Sequence, residues 1–199
     1  MFETLLLMAV MGTLPPISSS PQEPSKVQKP PAPHLIPGAK EGELPVDSKD
    51  LQPVLLGATS REAILAHRET FRGSLSQTEL QAGWLARWKA VDVPCSLVVA
   101  FGSWCDDSQQ GLKDFLALSK EKNPFIAIHL IGVYRDKKTA PKDWPRGIEP
   151  QVIEKVPTFW LFELQPDGSQ KLSGSIVETP PKPNQPMAEA VLDLLEKAR

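Results

Sequence analysis

The chain has 199 residues, 41% of them hydrophobic, which suits one ordinary domain with appendages rather than two full domains. Its 22 lysines and arginines against 24 aspartates and glutamates give a formal charge of -2, which removes the electrostatic basis for nucleic acid as the main partner. Two cysteines, Cys95 and Cys105, are too few for a disulfide-rich scaffold or a four-cysteine metal site.

The N-terminus has the features of a targeting segment. Residues 5–11 form an apolar run that matches the central region of a signal peptide and is far too short to span a bilayer. Residues 18–20 are serines and offer a cleavage site, although no Lys or Arg precedes the apolar run. We therefore predict a signal peptide over residues 1–20, a periplasmic or secreted rather than cytoplasmic protein, and no integral membrane segment in the mature chain.

Residues 21–53 are rich in Pro, Ser, Glu and Lys and lack aliphatic clusters. Ten of the 21 prolines fall within the first 53 residues. This composition favours an extended, solvated chain over a packed one, so we predict a disordered linker that acts as a tether. A proline-rich ligand for another domain is the alternative interpretation.

Folded sequence is expected from residue 54, and residues 54–90 are predicted to form a helical extension packed on the core. Ser60 has the position of a helix cap, and Ser76 begins a Ser-x-x-Glu capping box. Trp84 and Trp88 are spaced one helical turn apart after that box, so we predict that they form a packing face rather than a ligand site.

The remaining residues, 91–199, predict an α/β domain. The elements in chain order are an apolar strand at 96–101, a helix through 112–119, an apolar strand at 125–133, a hairpin at 159–174 and a terminal helix at 187–198. Continuous apolar runs are typical of strands buried on both faces, and strand-helix-strand order predicts a right-handed parallel crossover. The Asp-Gly pair at 167–168 predicts an antiparallel turn. A central mixed sheet flanked by helices follows.

Cys105 stands where the first of these strands ends and the helix begins. Unpaired backbone N–H groups and the positive end of the helix dipole favour a thiolate at such a position. Together with the element order, two motifs resemble the thioredoxin superfamily over roughly residues 91–199: Trp104-Cys105-Asp106-Asp107-Ser108 and Val156-Pro157-Thr158. More narrowly, the chain resembles exported bacterial thioredoxin-like proteins that carry Trp-Cys-x-Asp-Ser and a helical segment ahead of the domain.

The resemblance implies a thioredoxin-like fold and a role for each matched residue. Cys105 corresponds to the nucleophile, Trp104 to the tryptophan before it, and Pro157 to a cis-proline whose loop faces the nucleophile. Val156 would supply backbone contacts to an extended peptide. The predicted catalytic set is therefore Cys105, Ser108, Trp104 and Pro157, and the predicted substrate-binding set is Val156, Thr158, Asp106, Asp107 and Arg135.

Three features of the sequence depart from the dithiol pattern of the thioredoxin superfamily, and each weakens the expectation of redox activity. Ser108 replaces the second cysteine, so this turn closes no intramolecular disulfide and Cys105 would act alone. Val99 occupies the buried position where thioredoxin has an aspartate that relays protons. Asp106 and Asp107 set two negative charges beside a thiolate, which disfavours it and predicts a sluggish nucleophile at neutral pH.

Other groups add little chemistry to the site. Cys95 begins the strand that leads to Cys105, and residues spaced by about 3.3 Å along a strand put it beyond the ~7 Å limit for a disulfide. His129 lies inside an apolar strand, so we predict no metal and no other cofactor. Arg135 follows the second strand at the sheet edge where ligands bind in α/β folds, and it either offsets the aspartates, holds an acidic group, or is an ordinary solvated cation.

Two functions remain open at this point. In the first, the protein is a monothiol thiol-disulfide oxidoreductase, in which Cys105 forms mixed disulfides that an external thiol resolves and Ser108 hydrogen-bonds the thiolate. Its partners would be protein or small-molecule thiols and disulfides. In the second, the protein is a redox-inactive binding module that holds an extended peptide or protein at the cis-proline groove.

Overall fold

The computed structural model describes residues 44–72 and 80–197, which contain a five-stranded mixed sheet. The strands are β1 (Gly57–Thr59), β2 (Cys95–Phe101), β3 (Ile126–Gly132), β4 (Thr158–Leu164) and β5 (Gln170–Val177). Their spatial order is β1-β3-β2-β4-β5, with β2 parallel to β3 and the other neighbours antiparallel. The parallel crossover and the hairpin that the sequence predicts are both confirmed.

Helices flank this sheet, as the sequence predicts for an α/β fold. They are α1 (Arg61–His67), α2 (Ala82–Lys89), α3 (Asp106–Leu118) and α4 (Met187–Glu196), and a short 3-10 turn spans Pro141–Asp143. No helix within the described ranges is both long and apolar enough to cross a membrane.

Strand β2 is the centre of the fold, since all seven of its residues are buried. Its side chains alternate between two cores, as the pleat of a strand requires. Leu97, Val99 and Phe101 face the larger core, to which α1, α2, α3 and α4 all contribute apolar side chains. Val98 and Ala100 face the smaller core on the opposite side of the sheet.

The smaller core is covered by the long connection between β3 and β4 rather than by one of these helices. The apolar side chains that this connection contributes are Val133, Trp144, Ile148, Ile153 and Val156. Trp144 packs against Trp160 of β4, with ring centroids 5.4 Å apart. The end of this connection therefore has a fixed position beside the end of β2.

The N-terminal extension contains two features that the sequence predicts, a helix cap and a pair of buried tryptophans. The Ser60 hydroxyl caps α1 by accepting a hydrogen bond from the Ala63 N–H at 3.0 Å. Trp84 and Trp88 are buried in the larger core, and the Trp88 indole donates to the Glu121 carbonyl. The capping box predicted at Ser76 lies outside the described residues.

Strand β1, which the sequence analysis does not predict, joins the extension to the sheet. It is only three residues long and pairs with β3, with Gly57 opposite Gly132. Just before it, the carbonyl of Leu55 crosses directly over Gly132, so closely that a Cβ at that glycine would collide with the oxygen. A short edge strand with so few apolar residues has too weak a pattern to predict.

Residues 44–53, the last ten of the predicted linker, form a compact turn that we call the strap. Val46 and Pro53 make an isolated antiparallel bridge, and the Val54 N–H donates to the Pro45 carbonyl. Asp47 is fully buried inside the turn. The folded part thus starts ahead of residue 54. The sequence pattern does not indicate this, because hydrogen bonds between polar groups rather than an apolar cluster hold the strap. The predicted signal peptide and the linker as far as residue 43 lie outside the described residues.

The close approach at Gly132 makes a stability prediction. We expect Gly132→Ala to lower the free energy of unfolding by about 1–3 kcal/mol, because the new methyl group must displace the Leu55 backbone. Gly83 in α2 has open space around it, so Gly83→Ala is the matched control and should stabilise by about 0.5–1 kcal/mol through its better helix propensity. Urea unfolding of both variants measures this; equal effects would contradict the packing argument.

Candidate functional site

Cys105 lies between the end of β2 and the first turn of α3, where the sequence predicts it. Its N–H donates to the Gly102 carbonyl at 3.0 Å, and its own carbonyl accepts the first helical hydrogen bond from Gln109. Its side chain is half-buried and caps no helical N–H. The sulfur therefore sits at the positive end of a 13-residue helix with access to solvent.

The Val156–Pro157 loop faces this sulfur. The Val156–Pro157 peptide bond is cis, as the resemblance implies. The Cys105 thiol donates a weak hydrogen bond to the Val156 carbonyl, with 3.7 Å between sulfur and oxygen. Gly111 of α3 lets the helix pack closely, because a Cβ there would lie only 3.0 Å from Pro157 Cγ. Helix and loop thus hold each other beside the thiol.

Backbone groups, not side chains, are what this loop offers to a ligand. Val156 and Thr158 have buried side chains, and the Thr158 hydroxyl donates to the Lys155 carbonyl at 2.7 Å. The Pro157 carbonyl accepts from the Glu178 N–H. Among the hydrogen bonds of the described residues, none uses the Val156 N–H. A ligand at this point meets the Val156 backbone, and Thr158 contributes only as support.

Ser108 has a structural bond rather than the contact with sulfur that the sequence analysis expects. Its hydroxyl is fully buried and accepts a hydrogen bond from the Gly102 N–H at 3.1 Å. No hydrogen bond joins it to Cys105, whose thiol points to Val156 instead. Ser108 therefore ties the end of β2 to the first turn of α3, because a buried backbone N–H needs an acceptor.

Trp104 is held on three sides next to the thiol. Its indole N–H donates to the Val133 carbonyl at 2.9 Å. Its ring lies over Gly102, where a Cβ would come within 2.7 Å of the ring. The guanidinium of Arg135 stacks on the ring, 4.4 Å from its centroid. The Trp104 indole thus forms one wall of the site. It is fixed by contacts with Gly102 after β2 and with Val133 and Arg135 after β3.

Arg135 does not hold an acidic ligand and is not a solvated loop cation, because its guanidinium is already paired. It makes two parallel hydrogen bonds to the Asp47 carboxylate, at 2.7 and 2.8 Å. These bonds, with smaller contributions from the N–H groups of Lys49 and Asp50, lower the pKa of Asp47 from 3.8 to about 2, although burial alone would raise it. Asp47 was missed by the sequence analysis, which assigned it to the linker. The available signal was the Asp-Ser-Lys-Asp run, typical of an Asx turn.

The charged side chains around the thiol site are two aspartates and two cations that already have partners. Asp106 and Asp107 are exposed in the first turn of α3. Lys155, which interacts electrostatically with Asp107, is ion-paired with Glu178. Arg135 and Lys155 are therefore each ion-paired with another carboxylate, and no ion pair within the described residues involves Asp106 or Asp107.

The second cysteine and the strand histidine lie away from this cluster. Cys95 is buried at the far end of β2, and burial raises the pKa of its thiol to about 11. His129 is half-buried on β3, and the desolvation that results lowers the pKa of its imidazole. Within the part of the chain that the structure describes, no three His, Cys, Asp or Glu side chains are grouped to hold a metal ion.

The chain matches no protein-family model and no curated protein sequence. Among solved structures it is similar to an HIV epitope-scaffold, with 16% identity over 71% of this chain and 92% of that chain and a TM-score of 0.45. It is also similar to a protein of unknown function from Pseudomonas aeruginosa, with 23% identity over 69% of this chain and 78% of that chain and a TM-score of 0.37. Neither likeness is close enough to assign a family.

The lowered pKa of Asp47 predicts a pH-dependent contribution to stability. A carboxyl that titrates near 2 when folded and near 3.8 when unfolded stabilises the protein above pH 4, and this is lost as the pH falls towards 2. We expect the difference in unfolding free energy between wild type and Asp47→Asn to shrink by about 2 kcal/mol over that range.

Urea unfolding of both proteins at pH 6 and at pH 2.5 measures this difference. Asp193, whose pKa is also lowered to about 2, titrates in the same window but is present in both proteins, so its contribution cancels. A difference that stays constant from pH 6 to pH 2.5 would contradict the assignment of the Asp47–Arg135 ion pair.

Proposed function

We propose that this protein is an exported, thioredoxin-like thiol-disulfide oxidoreductase of the monothiol type, with Cys105 as its nucleophile. One observation carries the proposal: a half-exposed thiol at the start of α3 faces the backbone of Val156, next to the cis Pro157. A cysteine retained only for packing would be expected in the core, as Cys95 is.

The proposed reaction is a thiol-disulfide exchange in two steps. The Cys105 thiol first loses its proton to water, and its sulfur attacks one sulfur of a substrate disulfide, forming a mixed disulfide and releasing the other sulfur as a thiolate. The thiolate of an external thiol then attacks the substrate sulfur of the mixed disulfide. Cys105 leaves as a thiolate and regains its proton, and the external thiol ends in a new disulfide with the substrate. No separate oxidant or reductant is needed.

Substrate recognition would rest on backbone contacts at Val156. The hydrogen bond from the thiol to the Val156 carbonyl exists only while sulfur carries its proton, so the carbonyl becomes available once the thiolate forms. With the N–H of the same residue, it offers one donor and one acceptor to an extended peptide. Because these contacts do not read side chains, the proposed partners are protein and small-molecule disulfides and thiols of broad sequence.

A binding module without redox chemistry is the second candidate, and the charges at the site favour it. Asp106 and Asp107 stand beside the thiol with no unpaired cation from Arg135 or Lys155 to balance them. Such a site holds a peptide as well as a redox site does, since binding at the Val156 backbone does not require a thiolate.

Mixed-disulfide formation tests the first function against the second. We expect native protein incubated with bis(2-hydroxyethyl) disulfide to gain one adduct, seen by intact mass spectrometry and removed by added glutathione. The adduct should persist in Cys95→Ala, because that thiol is buried, and vanish in Cys105→Ser. A native protein that forms no adduct, while the urea-unfolded chain does, would contradict the redox function; peptide binding retained in Cys105→Ser would then support the binding module.

Restoring a second thiol tests why the site would depend on an external thiol. In Ser108→Cys we expect oxidation to link positions 105 and 108, so that mixed disulfides resolve without added thiol. Reduced Ser108→Cys should also be less stable by about 1 kcal/mol, because sulfur is a poor acceptor for the Gly102 N–H. Thiol counting on the folded and unfolded protein reports the linkage.

Ser108→Ala is the matched control for this substitution, because it removes the same hydrogen-bond acceptor without adding sulfur. Its mixed disulfide should still require an external thiol for release. An oxidised Ser108→Cys that keeps three titratable thiols would contradict the proposed closeness of the two positions.

A further inference from the structure

A chain of three side chains connects the strap to the thiol site. Asp47 is buried completely and takes both hydrogen bonds of the Arg135 fork. The guanidinium carbon of Arg135 in turn lies over the Trp104 ring, 4.4 Å from its centroid, and Trp104 precedes Cys105. The contact spans 88 positions of sequence between Asp47 and Arg135, so it is a tertiary feature and not a local turn.

The geometry of this chain is specific to arginine. A planar guanidinium can bind a carboxylate edge-on with two N–H groups while its face stacks on an aromatic ring, whereas a lysine ammonium cannot do both. Asp47 is completely buried, so losing its arginine partner would leave an unpaired buried carboxylate, which costs free energy of folding. The strap therefore holds the Arg135 guanidinium in a defined position.

Asp47 is itself fixed by its own turn. Its Oδ1 accepts hydrogen bonds from the N–H groups of Lys49 and Asp50, at 2.9 and 3.2 Å. The next residue, Ser48, donates its N–H to the Tyr134 hydroxyl. Two contacts thus fasten the strap to the loop that carries Arg135, and Asp47 is the one that leads on to the site.

We propose that Asp47 and Arg135 are positioning residues for the Cys105 groove, and that they act by clamping the Trp104 indole between Arg135 and Gly102. Without the guanidinium, the ring keeps its hydrogen bond to Val133 but loses the contact on its outer face. The wall beside Cys105 then moves, and an extended substrate meets a less defined groove. The effect on substrate rests on the proposed function; the clamping of the ring does not.

The experiment uses the full chain and three single variants. Asp47→Asn keeps an acceptor for the turn but removes the charge that orients Arg135. Arg135→Lys keeps the charge, so the strap is retained, but loses the flat face that stacks on Trp104. The control is Asp50→Asn, which removes another carboxylate of the strap and its ion pair with Arg68 but keeps the backbone N–H that Asp50 donates to Asp47.

The first readout is hydrogen exchange of the Trp104 indole N–H by NMR, assigned as the signal missing from Trp104→Phe. We expect exchange to accelerate about two- to fivefold in Asp47→Asn and in Arg135→Lys, the effect of losing an exposed cation–π contact. The Trp144 indole, which donates to the Thr139 hydroxyl, is the internal reference and should not change. Asp50→Asn should match wild type.

The second readout is the rate of mixed-disulfide formation at Cys105 as a function of the concentration of a peptide disulfide. The half-saturating concentration should rise by about the same two- to fivefold in both variants, while the rate with bis(2-hydroxyethyl) disulfide, too small to contact the wall, should stay unchanged. A variant that merely loosens the fold would alter both reagents and the Trp144 reference together.

The outcomes separate this inference from the proposed function. Unchanged Trp104 exchange in Arg135→Lys overturns the positioning role, whatever happens to the rates. Faster exchange with an unchanged half-saturating concentration overturns the link between the ring and the groove. If wild-type Cys105 forms no mixed disulfide at all, the proposed function fails, and the exchange data alone then support or overturn the clamp on Trp104.

Discussion

The complete burial of β2 is the constraint on which the rest of this structure depends. A strand of seven buried residues needs apolar cover on both faces, and here the helices supply it on one side and the connection before β4 supplies it on the other. Because β2 ends abruptly at Gly102, the chain must turn into α3 at once. That turn brings Cys105 to the sheet edge, and the covering connection brings Val156 back to meet it.

The parts of the fold that follow from runs of apolar residues could be predicted from the sequence. Strands β2 and β3, the hairpin and α4 carry patterns strong enough to fix their type and their position to within a few residues. Strand β1 and the strap could not be predicted in this way. The buried Asp47 pairs with one arginine 88 residues later, and the composition of a segment carries no information about so distant a partner.

The residues of the candidate site also fall into two groups, those that the sequence places correctly and those whose partners it does not predict. Cys105, Trp104 and the cis Pro157 occupy positions that a local motif defines, and the sequence is sufficient to bring them together. Ser108 and Arg135 have partners that the motif does not define. The buried Ser108 hydroxyl accepts from the Gly102 N–H, and Arg135 donates to Asp47 of the strap. The hydrogen-bond partner of a buried polar side chain depends on which groups the folded chain brings close to it. The local sequence does not contain this information.

The pairing of Arg135 with Asp47 also limits the net charge that Arg135 presents to the thiol site. A free guanidinium beside the thiol would stabilise a thiolate, but a guanidinium bound to a buried carboxylate contributes almost no net charge. Lys155 is neutralised by Glu178 in the same way. What remains beside the thiol is the dipole of α3 together with the exposed carboxylates of Asp106 and Asp107. Under the proposed function, selectivity for substrate would come from the backbone of Val156 and the wall formed by Trp104, which makes the position of that ring more consequential than the charge of its neighbour.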